Sequence, residues 1–357
     1  MRLRRARIAV IAVGFAALSG GCGGASGGDG PSPGSPSGFA EALAAVGDDP
    51  LSRQYLEYGD TPALRRLAGA PASIAELGKT QLKSRWVTVL GWGANILAAR
   101  QTLGPTVVDP LAADRAVTVG PPARVAVRLD GPGIDGKAVK GALGRLGARR
   151  RQAQGLEFLA LGRQNRAGPG EPAVPLGLPA TVDRVVARAR TVAAGSSERA
   201  VAVALGAGGG RLDRVPAFAA AARCLGDVVA AQLYSGEFSG AGPDIGLLAA
   251  GVRRPTGDGP VREALCLVTS DAAAADRNAG TLRRALAASG RDPSTGGRRS
   301  EQLAAVSVSR ADAAGRPVAR AVLTLRPQVS AGYLFRAVQA FALPPLGASD
   351  RRPLTVR

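Results

Sequence analysis

Between Val125 and Asp130 apolar and polar positions alternate, with Val125, Val127 and Leu129 set against Ala126, Arg128 and Asp130, which predicts a half-buried strand. Ile134, Ala138, Ala142, Leu143 and Leu146 then recur at helical spacing as far as Gly147, so a helix follows the strand. A second extended run, 156–161, completes a βαβ-type unit. Upstream, residues 39–46 read as a short amphipathic helix and 54–58 as a strand. Gly59-Asp60-Thr61-Pro62 stops that strand, and Asp60 caps a helix through Leu67. A helical pattern over 73–103 is broken at Gly91-Trp92-Gly93. Trp86 and Trp92 read as core-filling side chains rather than pocket walls. Further on, 182–192 reads as extended, 215–225 as helical and 228–234 as extended.

The C-terminal half repeats a pattern. Strand 245–253, a turn at Thr256-Gly257-Asp258-Gly259, strand 262–269 and helix 271–288 are followed by strand 302–310, turn 312–315, strand 318–326 and helix 330–343. Two ββα units of similar spacing favour an α+β fold of antiparallel sheets with helices on one face over a doubly wound parallel sheet. Pro169, Pro172, Pro175 and Pro179 preclude a long regular element in 163–181. That stretch is the expected linker between an N-terminal lobe, 39–162, and a C-terminal lobe, 182–346, with a tail at 347–357.

The first 21 residues stand apart. Arg2, Arg4, Arg5 and Arg7 precede an apolar run over 8–18, the charged and hydrophobic regions of a secretory signal. Eleven residues fall well short of the ~20 needed to span a bilayer. The run ends in Leu18-Ser19-Gly20-Gly21-Cys22, which resembles the lipobox of bacterial prolipoproteins, with Ser19 where that family usually carries leucine. The resemblance implies cleavage before Cys22 and lipid, palmitate included, on its thiol. Residues 22–38 are then a Gly/Ser/Pro tether with almost no apolar content. Two acyl chains give durable attachment where one would not, so the expected location is the outer face of a cell membrane.

Net charge is +19, and loss of the four leader arginines lowers it to +15. Only Lys79, Lys83, Lys137 and Lys140 among the 46 basic residues are lysine; the arginine excess matches the codon bias of a high-GC genome. Arg149-Arg150-Arg151 and Arg298-Arg299 are short clusters without aromatic neighbours, which argues against a nucleic-acid partner. Solvated surface is the plain account of these charges, with anionic lipid or wall polymer as the partners they could attract.

With lipid on Cys22, Cys224 and Cys266 remain as an even pair in an oxidising compartment. The expected state is a disulfide between them, with two separately buried thiols as the alternative.

The chain has no histidine, which excludes Ser-His-Asp and Cys-His catalysis, His-built zinc sites and imidazole proton shuttles. Ser-x-x-Lys and Gly-x-Ser-x-Gly are missing as well. Carboxylate pairs could still cleave glycosides, and Glu57 with Asp60 or Asp48 with Asp49 are the obvious pairs, yet a chain 4% aromatic offers few platforms for sugars. Capping explains Asp60, and a solvated loop explains Asp48 and Asp49. Gly206-Ala207-Gly208-Gly209-Gly210 lacks the Lys-Ser/Thr of a phosphate loop and reads as a turn. No catalytic residue, metal site or cofactor is implied.

Tyr58-Gly59-Asp60-Thr61 leading to Leu64-Arg65-Arg66-Leu67, together with Arg223-Cys224-Leu225-Gly226-Asp227 and Leu265-Cys266-Leu267-Val268, resembles uncharacterised lipoproteins of actinobacteria such as streptomycetes. The resemblance implies location and no activity. The expectation is a non-catalytic binding or interaction protein of the envelope, with an envelope protein among its possible partners. A carboxylate wall hydrolase and a solute receptor for a transporter, with its cleft near 163–181, stand as alternatives.

Overall fold

A computed structural model of the chain describes residues 38–86, 107–121, 124–161, 183–235, 242–292, 296–340 and 343. The leader, Cys22, the tether up to residue 37, Trp92 and the whole of the 163–181 stretch lie outside these. The described residues open with helices α1 (Gly38–Ala44) and α2 (Pro50–Gln54), strand β1 (Tyr55–Asp60) and helices α3 (Thr61–Ala68) and α4 (Ile74–Leu77). Strands β2 (Arg115–Val119) and β3 (Ala126–Asp130), helix α5 (Gly136–Arg145), and strands β4 (Arg149–Ala153) and β5 (Leu156–Ala160) follow. Next come β6 (Arg184–Arg188), β7 (Thr191–Gly195), α6 (Glu198–Ala204), α7 (Pro216–Leu225) and β8 (Val228–Ser235). The chain continues through β9 (Ile245–Arg253), β10 (Arg262–Thr269), α8 (Ala272–Ala285), β11 (Leu303–Ala313), β12 (Arg316–Leu325) and α9 (Tyr333–Gln339).

All twelve strands of the described residues join one antiparallel sheet in the order β11-β12-β10-β9-β8-β1-β2-β3-β7-β6-β5-β4. The α+β class and the antiparallel hairpins agree with the residue pattern. The two-lobed division does not describe the sheet: on either side of 163–181, β5 pairs with β6 through Leu159↔Val185 and Ala160↔Arg184. That Pro/Gly stretch joins neighbouring strands, and the described residues belong to one compact unit.

Helices cover both faces, where one covered face is expected from the sequence. Phe39, Leu43, Leu51, Val201, Phe218 and Leu225, from α1, α2, α6 and α7, pack on one side. Leu64, Ile74, Leu77, Leu143, Leu282 and Leu334, from α3, α4, α5, α8 and α9, pack on the other. The reason is visible in the strands. Seven of eight residues are buried in β8 and again in β10, the near-continuous burial of a sheet with no solvent face.

The C-terminal repeat is present, and it extends further. Helix α8 carries the chain from β10 to β11, two places along the sheet, and α5 carries it from β3 to β4, four places along, because the β6–β7 hairpin is inserted between. The expected βαβ unit is therefore a crossover between strands that do not touch. Thus β2-β3-α5-β4-β5 has the order of β9-β10-α8-β11-β12. Asp135 and Asp271 cap the two equivalent helices, each accepting from backbone N–H groups of the first turn. Both outer hairpins close through two residues of positive φ, Gln154-Gly155 and Ala314-Gly315, the conformation that matches strand twist.

Five elements were not legible in the pattern: α2, β2, α6, β7, which was merged with β6 in the single run 182–192, and β4, whose arginines read as a solvated cluster. Over the 73–103 pattern the described residues form only the single turn of α4 and a 3-10 turn at Ser84–Trp86. Trp86 is buried in the core, as expected.

Candidate functional site

The middle of the sheet carries polar side chains in a row. Glu57 on β1 lies opposite Thr118 on β2 and opposite Gln232 on β8, and Tyr55 lies opposite Tyr234. All but the half-buried Tyr55 are at most 7% exposed. The Tyr55 hydroxyl donates to Glu57 Oε2 at 2.7 Å, and the Tyr234 hydroxyl donates to Gln232 Oε1 at 2.8 Å. Their rings meet at 5.2 Å with a 58° tilt. Burial, with the Glu57 charge next in weight, holds the Tyr55 phenol well above its usual range, and the same two causes raise Tyr234. Both phenols keep their protons at neutral pH and serve as donors rather than bases. Polar groups paired across three strands also fix register, since a one-residue slip would carry each to the opposite face.

Glu57 and Asp60 do not form a catalytic pair. Along the regular ladder of β1, Glu57 shares the face of Tyr55, while three residues on, Asp60 falls on the alternate side. Asp60 Oδ1 accepts from the Ala63 backbone at the start of α3, and Oδ2 accepts from Arg254 Nη2 at 2.6 Å. Asp48 is held by Arg53 and Asp49 by Arg199, the latter also capping α2. The glycine run 206–210 is wedged against this corner. Gly47 N donates to Val203 O, Asp48 N donates to Gly210 O, and a Cβ on Gly47 would collide with the Ala207 carbonyl. Close backbone packing and positive φ, rather than a phosphate, account for Gly206 and Gly208.

Two charged groups engaged within the fold, the buried Glu263 and the half-buried Arg128, were missed in the sequence. Glu263, 1% exposed on β10, accepts from the Gly332 and Tyr333 N–H groups through Oε1 at 2.6 and 3.0 Å and from Leu334 N–H through Oε2 at 2.7 Å. It fills the N-terminus of α9 with a carboxylate from the chain itself. Arg128 reaches two helix ends: its Nη1 donates to Ala45 O beyond α1 and to Ala204 O of α6, while Nε pairs with Asp130. Replacing Arg128 with methionine strips those carbonyls of their donor and should lower stability by about 2 kcal/mol, read as a shift in urea midpoint at unchanged slope. The available signal was a charge set among apolar strand residues, Glu263 ahead of 264–268 and Arg128 between Val127 and Leu129, which calls for a partner.

Cys224 of α7 and Cys266 of β10 are joined as a disulfide across a separation of 42 residues. It lies inside the core on the face covered by α1, α2, α6 and α7. Of the two arginine clusters, Arg149–Arg151 form the exposed edge strand β4, whereas Arg299 is buried at 7% exposure beside Tyr333 and Asp292. An apolar groove of about 400 Å³ lies between the end of α8 and β11, lined by Leu286, Ala287, Leu303, Val306 and Val308. It sits at the opposite edge of the sheet from β5 and β6, which flank 163–181. Among the described residues no group of three or more Cys, Asp or Glu side chains could hold a metal ion, and no helix is long and apolar enough to cross a membrane. Compared with models of protein families, with curated proteins and with solved structures, the chain matches none.

Proposed function

We propose that the chain is a lipoprotein held at the outer face of a bacterial cell membrane through lipid on Cys22, and that it acts there by binding another envelope component. The observation that carries this reading is the disulfide between Cys224 and Cys266. Such bonds persist in oxidising compartments and are rare in a reducing cytosol, so the folded body and the N-terminal signal pattern agree on export. The pairing also leaves Cys22 as the single cysteine outside it, at the end of the apolar run where the lipobox resemblance expects modification. Binding is favoured over hydrolysis by the occupation of the carboxylates: Asp60, Asp49 and Glu263 cap helices, and Glu57 lies under Tyr55.

Metabolic labelling with palmitate tests the anchor. The label should enter the wild-type chain, and Cys22→Ala should lose it and leave the membrane fraction. Absence of label, or equal label in the variant, overturns the assignment. Pull-down from detergent-solubilised envelope tests the binding role.

A further inference from the structure

The two edges of the sheet are topologically equivalent, since β4 and β11 occupy matching places in the repeated ββαββ order, yet their surfaces differ. Strand β11 carries one arginine, Arg310, which pairs with Asp276. Strand β4 carries three in succession, Arg149, Arg150 and Arg151, all exposed. Along this edge strand Arg150 falls on the face covered by α5 and Arg149 and Arg151 on the alternate face, and α5 carries Lys137, Lys140 and Arg145, also exposed. Among the described residues, Lys140 is the only one of these six within ion-pair distance of a carboxylate, Glu157 at 3.7 Å. The other acid nearby, Asp135, is engaged in capping α5. The position in the fold does not require this charge, because its counterpart lacks it.

On the link between α5 and β4 lies Leu146, 51% exposed, the most exposed large apolar side chain described. Charge alone would blunt an open sheet edge against unwanted pairing. A leucine presented to solvent on the link between these two cationic elements adds nothing to that protection, and it is the complement of a surface that is anionic outside and apolar beneath.

We propose that the α5–β4 edge is a docking surface for anionic membrane lipid, its cations meeting headgroup phosphates while Leu146 enters the interface. Given the lipid on Cys22 proposed above, the membrane is within reach. Six strand spacings of ~4.8 Å separate β1 from β4, about 29 Å, and the tether over 23–38 spans up to about 55 Å when extended. Lipid anchor and edge would then hold the body at two points and orient it, rather than leave it swinging on one.

The test uses the chain from residue 22 onward carrying Cys22→Ala, which cannot be lipidated, so it is independent of the anchor. Cosedimentation is measured with vesicles of phosphatidylcholine alone and with 30% phosphatidylglycerol. Binding should require the anionic lipid and fall steeply with salt. It should drop roughly hundredfold in Arg149→Ser/Arg150→Ser/Arg151→Ser and roughly tenfold in Leu146→Ser, with Arg283→Ser/Arg284→Ser at the far edge as the unchanged control. In Leu146→Trp the emission should shift to the blue on anionic vesicles, a readout that leaves the arginines intact. Equal binding to neutral vesicles, a triple variant that binds like its parent, or an unshifted tryptophan overturns the proposal. So does binding to soluble polyglycerol phosphate as tight as to vesicles and indifferent to Leu146→Ser, which would assign the edge to a wall polymer.

Discussion

Replacing Glu263 with alanine should lower the free energy of unfolding by about 4 kcal/mol, the cost of stranding three buried N–H groups at the start of α9. No water-exposed route replaces the acceptor, because the carboxylate is 1% exposed. Tyr333, Leu334, Phe335 and Val338 of α9 lie buried, so loosening the helix start also loosens the core face it covers. The measurement is a urea or guanidinium midpoint; a shift under 1 kcal/mol would show that α9 holds its place without the cap. The same group gives a pH signature. Burial pushes the carboxyl above its ordinary 4.5, outweighing the opposing pull of the three N–H donors and Arg336. The folded chain therefore holds this proton to higher pH than the unfolded chain does. Its contribution is fully present below pH 4.5 and declines as pH rises through the folded value. Comparing the pH dependence of stability with that of Glu263→Gln isolates this slope, which the variant should lose.

The double variant Cys224→Ala/Cys266→Ala should cost about as much, ~4 kcal/mol, since the bond closes a 42-residue separation in the unfolded chain. Reductant added to the wild-type chain during denaturation should bring its midpoint down to that of the variant, and leave the variant's unchanged. Without reductant, alkylation of the denatured chain should label neither cysteine. Two labelled thiols would remove the bond and with it the main support for export.

How far the fold could be read from residues depended on where each signal lay. Asp60 as a cap and the order of strands and helices from 245 to 343 are local properties, set by alternation, turn glycines and N-cap carboxylates, and the structure has them where the pattern puts them. Strand β4 escaped because an edge strand of Arg-Arg-Arg-Gln-Ala buries almost nothing, so it has no apolar alternation to detect. Coverage of both faces escaped because alternation, taken as the mark of a strand, gives less weight to uninterrupted apolar runs such as those in β8 and β10. The polar row was half legible. Glu57 stood out, but its neighbours Thr118, Gln232 and Tyr234 come from strands far along the chain, and only the sheet order brings them to it. Glu263 met its partners at separations of 69 to 71 residues, beyond any local rule.

The place of β1 has a consequence for how the molecule is made. The first strand of the described residues becomes a central one, and its two neighbours start at residues 115 and 228. One side of β1 can close as soon as β2 has appeared. The other side stays open until six further strands exist, and Leu56 and Tyr58 cannot complete their packing before then. The sheet therefore grows as two wings from a seam, and closing the seam between β1 and β8 is a contact of long sequence separation that should set the pace of folding. A ribosome or a translocation channel releasing this chain from its N-terminus delivers the keystone first and its support last.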